Sequence, residues 1–225
     1  MVAPMTTTPK SFHLTPEVHA YILDHSSALD PIATELVGRT AELGGVSIMQ
    51  IAPEQAVFMT LITQAVGARV AVEVGTFTGM SALAIARGLP PDGRLTCCDV
   101  SEDWTSIARE FWQRAGVADR IDLRIGPAAE TLAAMSPEAV VDLAFVDADK
   151  GGYIRYWDEL VPRMRPGGIV LVDNTLRGGT VADSSNTDDT TEQIRAFNDH
   201  AVADGRMDVV VLAVGDGLTF ARRRD

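Results

Sequence analysis

The sequence predicts an α/β fold: a doubly wound, mostly parallel seven-stranded sheet that finishes in a C-terminal antiparallel hairpin and carries extra N-terminal helices. Three observations predict it. Short apolar runs alternate five times with helical stretches, the pattern of parallel strands joined by right-handed crossovers. Two extended runs near the end flank Gly215-Asp216-Gly217, a hairpin turn. Ahead of the first strand stand helical stretches that need no strand of their own.

The elements follow in order. Residues 1–12 read as a flexible tail, 13–66 as the N-terminal helices and 67–225 as the sheet core, within a single domain. Thr15-Pro16-Glu17 has N-cap and N1 chemistry and opens a helix to about Asp24. A second helix runs from Pro31 to Leu43 and stops at Gly44-Gly45. A third follows Pro53, with Val57, Phe58, Leu61, Ile62 and Ala65 at helical spacing. Strands are expected at Val70–Val74, Leu95–Cys98, Ile121–Ile125, Val141–Val146 and Gly168–Val172. Helices are expected between them at Met80–Arg87, Ser101–Ala115, Ala128–Met135 and Tyr153–Met164. Gly178–Asp189, rich in Asp, Ser, Thr and Gly, reads as a loop. Met207–Val214 and Leu218–Ala221 form the hairpin, with Arg222-Arg223-Arg224 as a solvated tail.

Composition narrows the function. The chain has 225 residues, 46% of them hydrophobic, which suits one organised core. Its 31 acidic against 19 basic residues give a net charge of −12, a surface that repels nucleic-acid backbones. No apolar run reaches the roughly 18 residues of a membrane helix, and the start lacks the apolar stretch of a signal peptide. Cys97 and Cys98 are adjacent, so on a strand they face opposite ways and form no ordinary disulfide. A reducing, cytoplasmic setting is the expectation. Met49, Met59 and Phe58 read as core. The four histidines lie outside the strand ends and read as surface or packing residues.

Ligands in open α/β sheets bind beyond the carboxyl ends of the strands. The first strand ends in Glu73-Val74-Gly75-Thr76-Phe77-Thr78-Gly79-Met80-Ser81. Its glycines permit a tight turn, and a helix start with free N–H groups follows. An acid beside that turn disfavours a pyrophosphate and suits a cationic ligand, unlike the G-x-G-x-x-G of dinucleotide enzymes. Asp99, ending the second strand, can accept from both hydroxyls of a ribose. Gly126-Pro127-Ala128 leaves a small-sided slot for a purine. Asp147, Asp173 and Asn174 close two apolar strands and bring together three oxygen donors. Such a set without His or Cys suits a hard cation: magnesium first, with calcium or manganese as alternatives.

These residues resemble the cation-dependent class I O-methyltransferases of the catechol and caffeoyl-CoA type, which use S-adenosylmethionine. The resemblance runs from about Thr15 to Arg223. Besides the glycine turn it rests on Met49-Gln50-Ile51-Ala52-Pro53-Glu54-Gln55, Phe145-Val146-Asp147-Ala148-Asp149-Lys150, Val172-Asp173-Asn174 and Val214-Gly215-Asp216-Gly217-Leu218. It implies a Rossmann-like methyltransferase fold and a homodimer whose N-terminal helices help to form the substrate pocket. It implies that Ile51 meets the cofactor through its backbone and that Glu73, Gly75, Thr76 and Ser81 hold its methionine part. Asp99 would hold the ribose, Ala128 would border the adenine, and Asp147 and Tyr156 would lie on the cofactor side. Asp147, Asp173 and Asn174 would bind the cation, and Lys150 would be the general base. The chain departs from many plant members at Arg177 and Gly178, where those have Trp and Asn.

The implied reaction moves a methyl group to a hydroxyl of a small catechol-like or other phenolic acceptor. A phenol is mostly protonated at neutral pH, and a divalent cation favours its phenolate. Nucleic acid and membranes are not expected partners. Other readings are an RNA-nucleoside methyltransferase of the same fold, which the acidic charge disfavours, and a nucleotide-dependent dehydrogenase, which lacks its glycine fingerprint. A phosphatase using Asp147-Ala148-Asp149 and a non-catalytic binding module are weaker still.

Overall fold

The structure is a computed structural model and describes residues 12–225. The expected tail lies outside the described residues, apart from Phe12. Three helices come first: α1 (Pro16–Asp24), α2 (Pro31–Ala41) and α3 (Pro53–Ala65). Thr15 and Asp30 cap the first two through their side chains, and a proline occupies the first turn of all three. The sheet core then alternates β1 (Val70–Val74), α4 (Met80–Gly88), β2 (Arg94–Asp99), α5 (Glu102–Arg114), β3 (Ile121–Ile125), α6 (Ala128–Ala134), β4 (Val141–Val146), α7 (Tyr153–Leu160) and β5 (Met164–Val172). Helix α8 (Asp189–Ala203) and the hairpin β6 (Met207–Leu212) and β7 (Leu218–Arg223) complete it.

The seven strands lie in the order β3-β2-β1-β4-β5-β7-β6. β1 to β5 are parallel, and β7 is antiparallel to both β5 and β6. The winding reverses between β1 and β4, the switch point where such sheets open a crevice. Alternation divides the core. Ala71, Cys97, Leu143 and Phe145 pack with α3, α4 and α5 on one face. Val72, Cys98, Ala144 and Val146 pack with α6, α7 and α8 on the other. Cys97 and Cys98 are buried free thiols on opposite faces.

Register sets the site. Val74 pairs with Val146, and Val146 with Val172, so the next residues, Gly75, Asp147 and Asp173, emerge level with one another. The ladder continues one step past the strands, with Asp147 N–H donating to the Val74 carbonyl (2.8 Å) and Asp173 N–H to the Val146 carbonyl (2.9 Å).

Five details differ from the sequence reading. Helix α8 was not expected, although Asp188 caps it and Ile194, Phe197 and Ala201 bury one stripe. Helix α7 stops at Leu160 because Pro162 forces a short 3₁₀ turn, and β5 therefore begins at Met164. The chain after α2 does not stop at Gly44-Gly45 but continues in 3₁₀ turns to Met49, leaving Met49 exposed. Arg222 and Arg223 belong to β7 rather than to a tail. The 22-residue helical stretch Gly44–Ala65 is long and apolar enough to cross a membrane, but it is interrupted at residues 50–52.

Candidate active site

At the carboxyl ends of the strands lies a cleft of about 950 Å³. Its floor is the turn after β1. Gly75 has φ +90°, and a Cβ there would stand 1.9 Å from the Asp147 carbonyl oxygen, so only glycine lets the ends of β1 and β4 close together. Phe77 also takes a positive φ (50°), rare for a bulky residue, and packs edge-on against Trp104 with ring centroids 5.1 Å apart. Both rings line the cleft.

The expected donor-binding residues gather around this turn. Thr76, Ser81, Asp99 and Ala128 line the cleft with Gly75. Asp99 accepts the Thr76 and Phe77 N–H groups on one oxygen (both 2.8 Å) and the Ser101 N–H on the other (2.7 Å), which locks the turn. A carboxylate has about four acceptor positions, so three such bonds leave one for a ligand. Ile51 is buried on the opposite wall, between the 3₁₀ turns and α3. Tyr156, on α7, lines the cleft and donates to Asp149 Oδ1 (2.5 Å).

Glu73 stands behind the wall rather than on it. It is fully buried and accepts from Thr76 Oγ1 (3.0 Å) on Oε2, while Oε1 has no partner. Burial pushes its carboxyl up to about 7, against the opposing influence of the nearby Ser81, Cys97 and Thr76 side chains. An orphaned buried acceptor under the glycine turn is the feature a cationic or N–H-bearing ligand would satisfy.

The third group lies at the ends of β4 and β5. Lys150 Nζ donates to Asp147 Oδ1 (3.0 Å), Asn174 Oδ1 (2.5 Å) and Tyr153 Oη (2.6 Å). One nitrogen thus joins oxygens from two strand ends. Asp173 is buried, accepting Gln55 Nε2 on one oxygen (2.9 Å) and the Asn174 N–H on the other (2.8 Å). Burial and then the neighbouring Asp147 push the Asp173 carboxyl up to about 6. Asn174 takes a left-handed φ of 58°, which asparagine tolerates better than most residues. Among the described residues no cluster of three His, Cys, Asp or Glu side chains could hold a metal ion. The set here is two carboxylates and an amide oxygen. Its chemistry suits a hard cation, and the mutual repulsion of the two acids is what a cation would relieve.

The structure therefore brings Lys150, Asp147, Asp173 and Asn174 into the cleft that also holds the donor-binding set. Two partners were not singled out from the sequence. Gln55, within the Met49–Gln55 segment, fixes Asp173, and Tyr153 reaches both Lys150 and the Asp173 carbonyl (3.1 Å). The signal was proximity in sequence to Lys150 for Tyr153; nothing local marks Gln55, which lies 118 residues from its partner. The histidines lie elsewhere: His19 meets Glu54, His25 stacks on Tyr21, His200 meets Asp158, and His13 is exposed.

Comparison with known proteins gives the family and the fold. Residues 23–224 match the O-methyltransferase family. The chain is 39% identical over 207 residues, 90% of both chains, to probable caffeoyl-CoA O-methyltransferase 1 of Dictyostelium discoideum. An O-methyltransferase from Bacillus cereus, solved in complex with SAH, superposes with a TM-score of 0.83 at 31% identity, covering 92% of this chain and 97% of that one. TomG from Streptomyces achromogenes, solved with SAM, has a TM-score of 0.85 at 27% identity, covering 93% and 96%.

Proposed function

The chain belongs to the O-methyltransferase family, and from that premise we propose that it carries the methyl group of S-adenosylmethionine to a hydroxyl of a small catechol-like or other phenolic acceptor, with a divalent cation in the site. The observation that carries the cation reading is the convergence of Asp147 Oδ1 and Asn174 Oδ1 on a single nitrogen of Lys150. Those oxygens and the Asp173 carboxylate would hold the ion, with magnesium the first choice. A bound dication supplies one thing: it favours the deprotonated form of a coordinated hydroxyl.

The chain's own residues do the rest. Gly75, Thr76, Ser81, Asp99 and Ala128, with the Ile51 backbone and Tyr156, bind the donor along the glycine turn, and Glu73 supplies the buried negative charge beneath its methionine end. Gln55 holds the Asp173 carboxylate in place. Lys150 Nζ, in its neutral form, takes the proton of the attacking hydroxyl, and Tyr153 Oη orients that nitrogen. The apolar walls at Phe77, Trp104 and Met49 keep the two substrates together. Holding both in attack geometry is worth on the order of 7–11 kcal/mol.

We also propose that two copies pair through the N-terminal helices, where Tyr21, Leu23 and Leu61 are exposed. Light scattering at micromolar concentration should give twice the 24.1 kDa mass. The paired buried thiols suit a cytoplasmic location. The test of function is a panel of catechols, hydroxycinnamates and their CoA esters, scored for methyl transfer with and without Mg²⁺. Transfer to a dihydroxyphenyl acceptor that needs the ion supports the reading; transfer to none of them removes it.

A further inference from the structure

We propose that Arg177 selects acceptors bearing a single carboxylate, so that the preferred substrate is a dihydroxyphenyl acid. This rests on the methyl-transfer reading above and names its substrate class.

Among the described residues the cleft is lined by Asp99, Asp147, Asp149, Asp173 and Asp216 but only two cations, Lys150 and Arg177. Lys150 meets Asp147 and Asn174 and has the proton-accepting role given above. Arg177 is exposed and makes no salt bridge among the described residues. Its charge reaches Asp188, but that carboxylate is occupied in capping α8 through the Thr191 N–H (3.0 Å) and hydroxyl (2.5 Å). In a protein with twelve more negative than positive charges, a cation left without a partner at the mouth of an acidic cleft is conspicuous.

The segment that carries it is built rather than loose. Arg177 has φ 49°, a left-handed conformation that costs about 1 kcal/mol for a side chain of this kind. It is followed by Gly178 and Gly179, also at positive φ. The surrounding backbone is pinned to the β6–β7 turn: Thr175 N–H donates to the Gly217 carbonyl (2.9 Å), Leu176 N–H to the Asp216 carbonyl (3.0 Å), and Gly178 N–H to the Asp216 carboxylate. Arg177 also lies three residues beyond Asn174, so it stands close along the chain to the proposed cation site.

A guanidinium held in place pairs with planar oxyanions, carboxylate or phosphate, through two parallel hydrogen bonds. The charge count decides between them. A CoA ester carries several phosphate charges, of which the one uncommitted cation among the described lining residues can match a single one. A single carboxylate is matched one to one. Ile48 and Met49, exposed apolar side chains on the opposite wall, offer the ring an apolar surface.

The experiment uses the full chain with S-adenosylmethionine and Mg²⁺. The probes are dihydroxycinnamic acid, its methyl ester and its CoA ester, for the native protein, Arg177→Gln and Arg177→Lys. Calorimetry with S-adenosylhomocysteine present gives the dissociation constant of the acid independently of turnover. The native protein is expected to prefer the acid over the methyl ester by about 10-fold to 100-fold in kcat/KM, the span of a hydrogen bond to a charged group. Arg177→Gln should cut the acid at least tenfold more than the ester, mainly through KM, and weaken its binding to match; Arg177→Lys should restore part of both. Equal use of acid and ester, unchanged by Arg177→Gln, overturns this proposal and leaves methyl transfer standing. A preference for the CoA ester that Arg177→Gln abolishes overturns it in favour of phosphate. Methylation of none of the three overturns the reading beneath it and this proposal with it.

Discussion

The two ends of the sheet treat buried carboxylates in opposite ways. At the amino end, Asp142 in β4 is 7% exposed and accepts the Arg69 and Val70 N–H groups (2.7 and 2.8 Å) together with the Arg165 guanidinium. These partners overcome burial and hold its carboxyl below the usual range. At the carboxyl end, Asp173 is 3% exposed and Glu73 fully buried, and their hydrogen-bond partners are an amide, a backbone N–H and a single hydroxyl. Among the described residues Arg165 has no counterpart in contact with either, and both carboxyls are pushed up, to about 6 and about 7. All three carboxylates are buried, Asp142 the least deeply, and the ends differ as well in whether the fold supplies the positive charge or leaves that to a ligand.

The largest effect expected separates the two ends by substitution. Asp173→Ala should lower methyl transfer by a thousandfold or more while leaving the melting temperature equal or higher, since it removes an unrelieved buried charge. Asp142→Ala should do the reverse. It strands Arg165 and two N–H groups, costing about 3 kcal/mol, and the molecules that stay folded should keep native kcat. Loss of both activity and stability in each variant would break the distinction. Next comes Lys150→Met, expected to lower kcat by about 10²-fold or more while the affinity for S-adenosylhomocysteine changes less than twofold; an unchanged kcat removes Lys150 as the base.

Glu73 sharpens the comparison through pH. Its folded pKa, about 7, lies above the ordinary 4.5, so between those values the native state holds a proton the unfolded chain has lost. Stability from this group should fall as pH rises through that window and level off above 7. Glu73→Gln should therefore stabilise the free protein at pH 8 by about 3 kcal/mol and flatten the pH dependence, while weakening donor binding. Asp142 has the opposite sign: its contribution is present above the ordinary 3.8 and is lost as pH falls below it. The smallest effect belongs to Asp204, which accepts from Trp157 Nε1 (2.9 Å) and Arg206 and is held below the usual range chiefly by Arg206. Asp204→Asn should cost about 1 kcal/mol at pH 7 and leave activity alone, as chemical denaturation can check.

The contrast between the sheet's ends was only half legible in the sequence. The strand-end residues could be read because each stands where an apolar run stops: Gly75 after Val74, Asp147 after Val146, Asp173 after Val172. The amino-end acid could not, since Asp142 sits inside an apolar strand and its partners Arg69 and Arg165 come from distant segments. Helix α8 was hidden by the Asp, Ser and Thr residues before it, which read as loop although Asp188 serves as a cap. Gln55 escaped notice because its role exists only once α3 lies over β5. The strand order, with β4 beside β1 rather than β3, is likewise set by packing between segments and not by any local pattern.

The direct test of an uncompensated carboxyl end is methyl transfer to a dihydroxyphenyl acceptor in excess chelator, followed by added Mg²⁺. If Asp147, Asp173 and Asn174 await a cation, transfer stops in chelator and returns when the ion is restored. Full turnover in chelator would contradict that assignment.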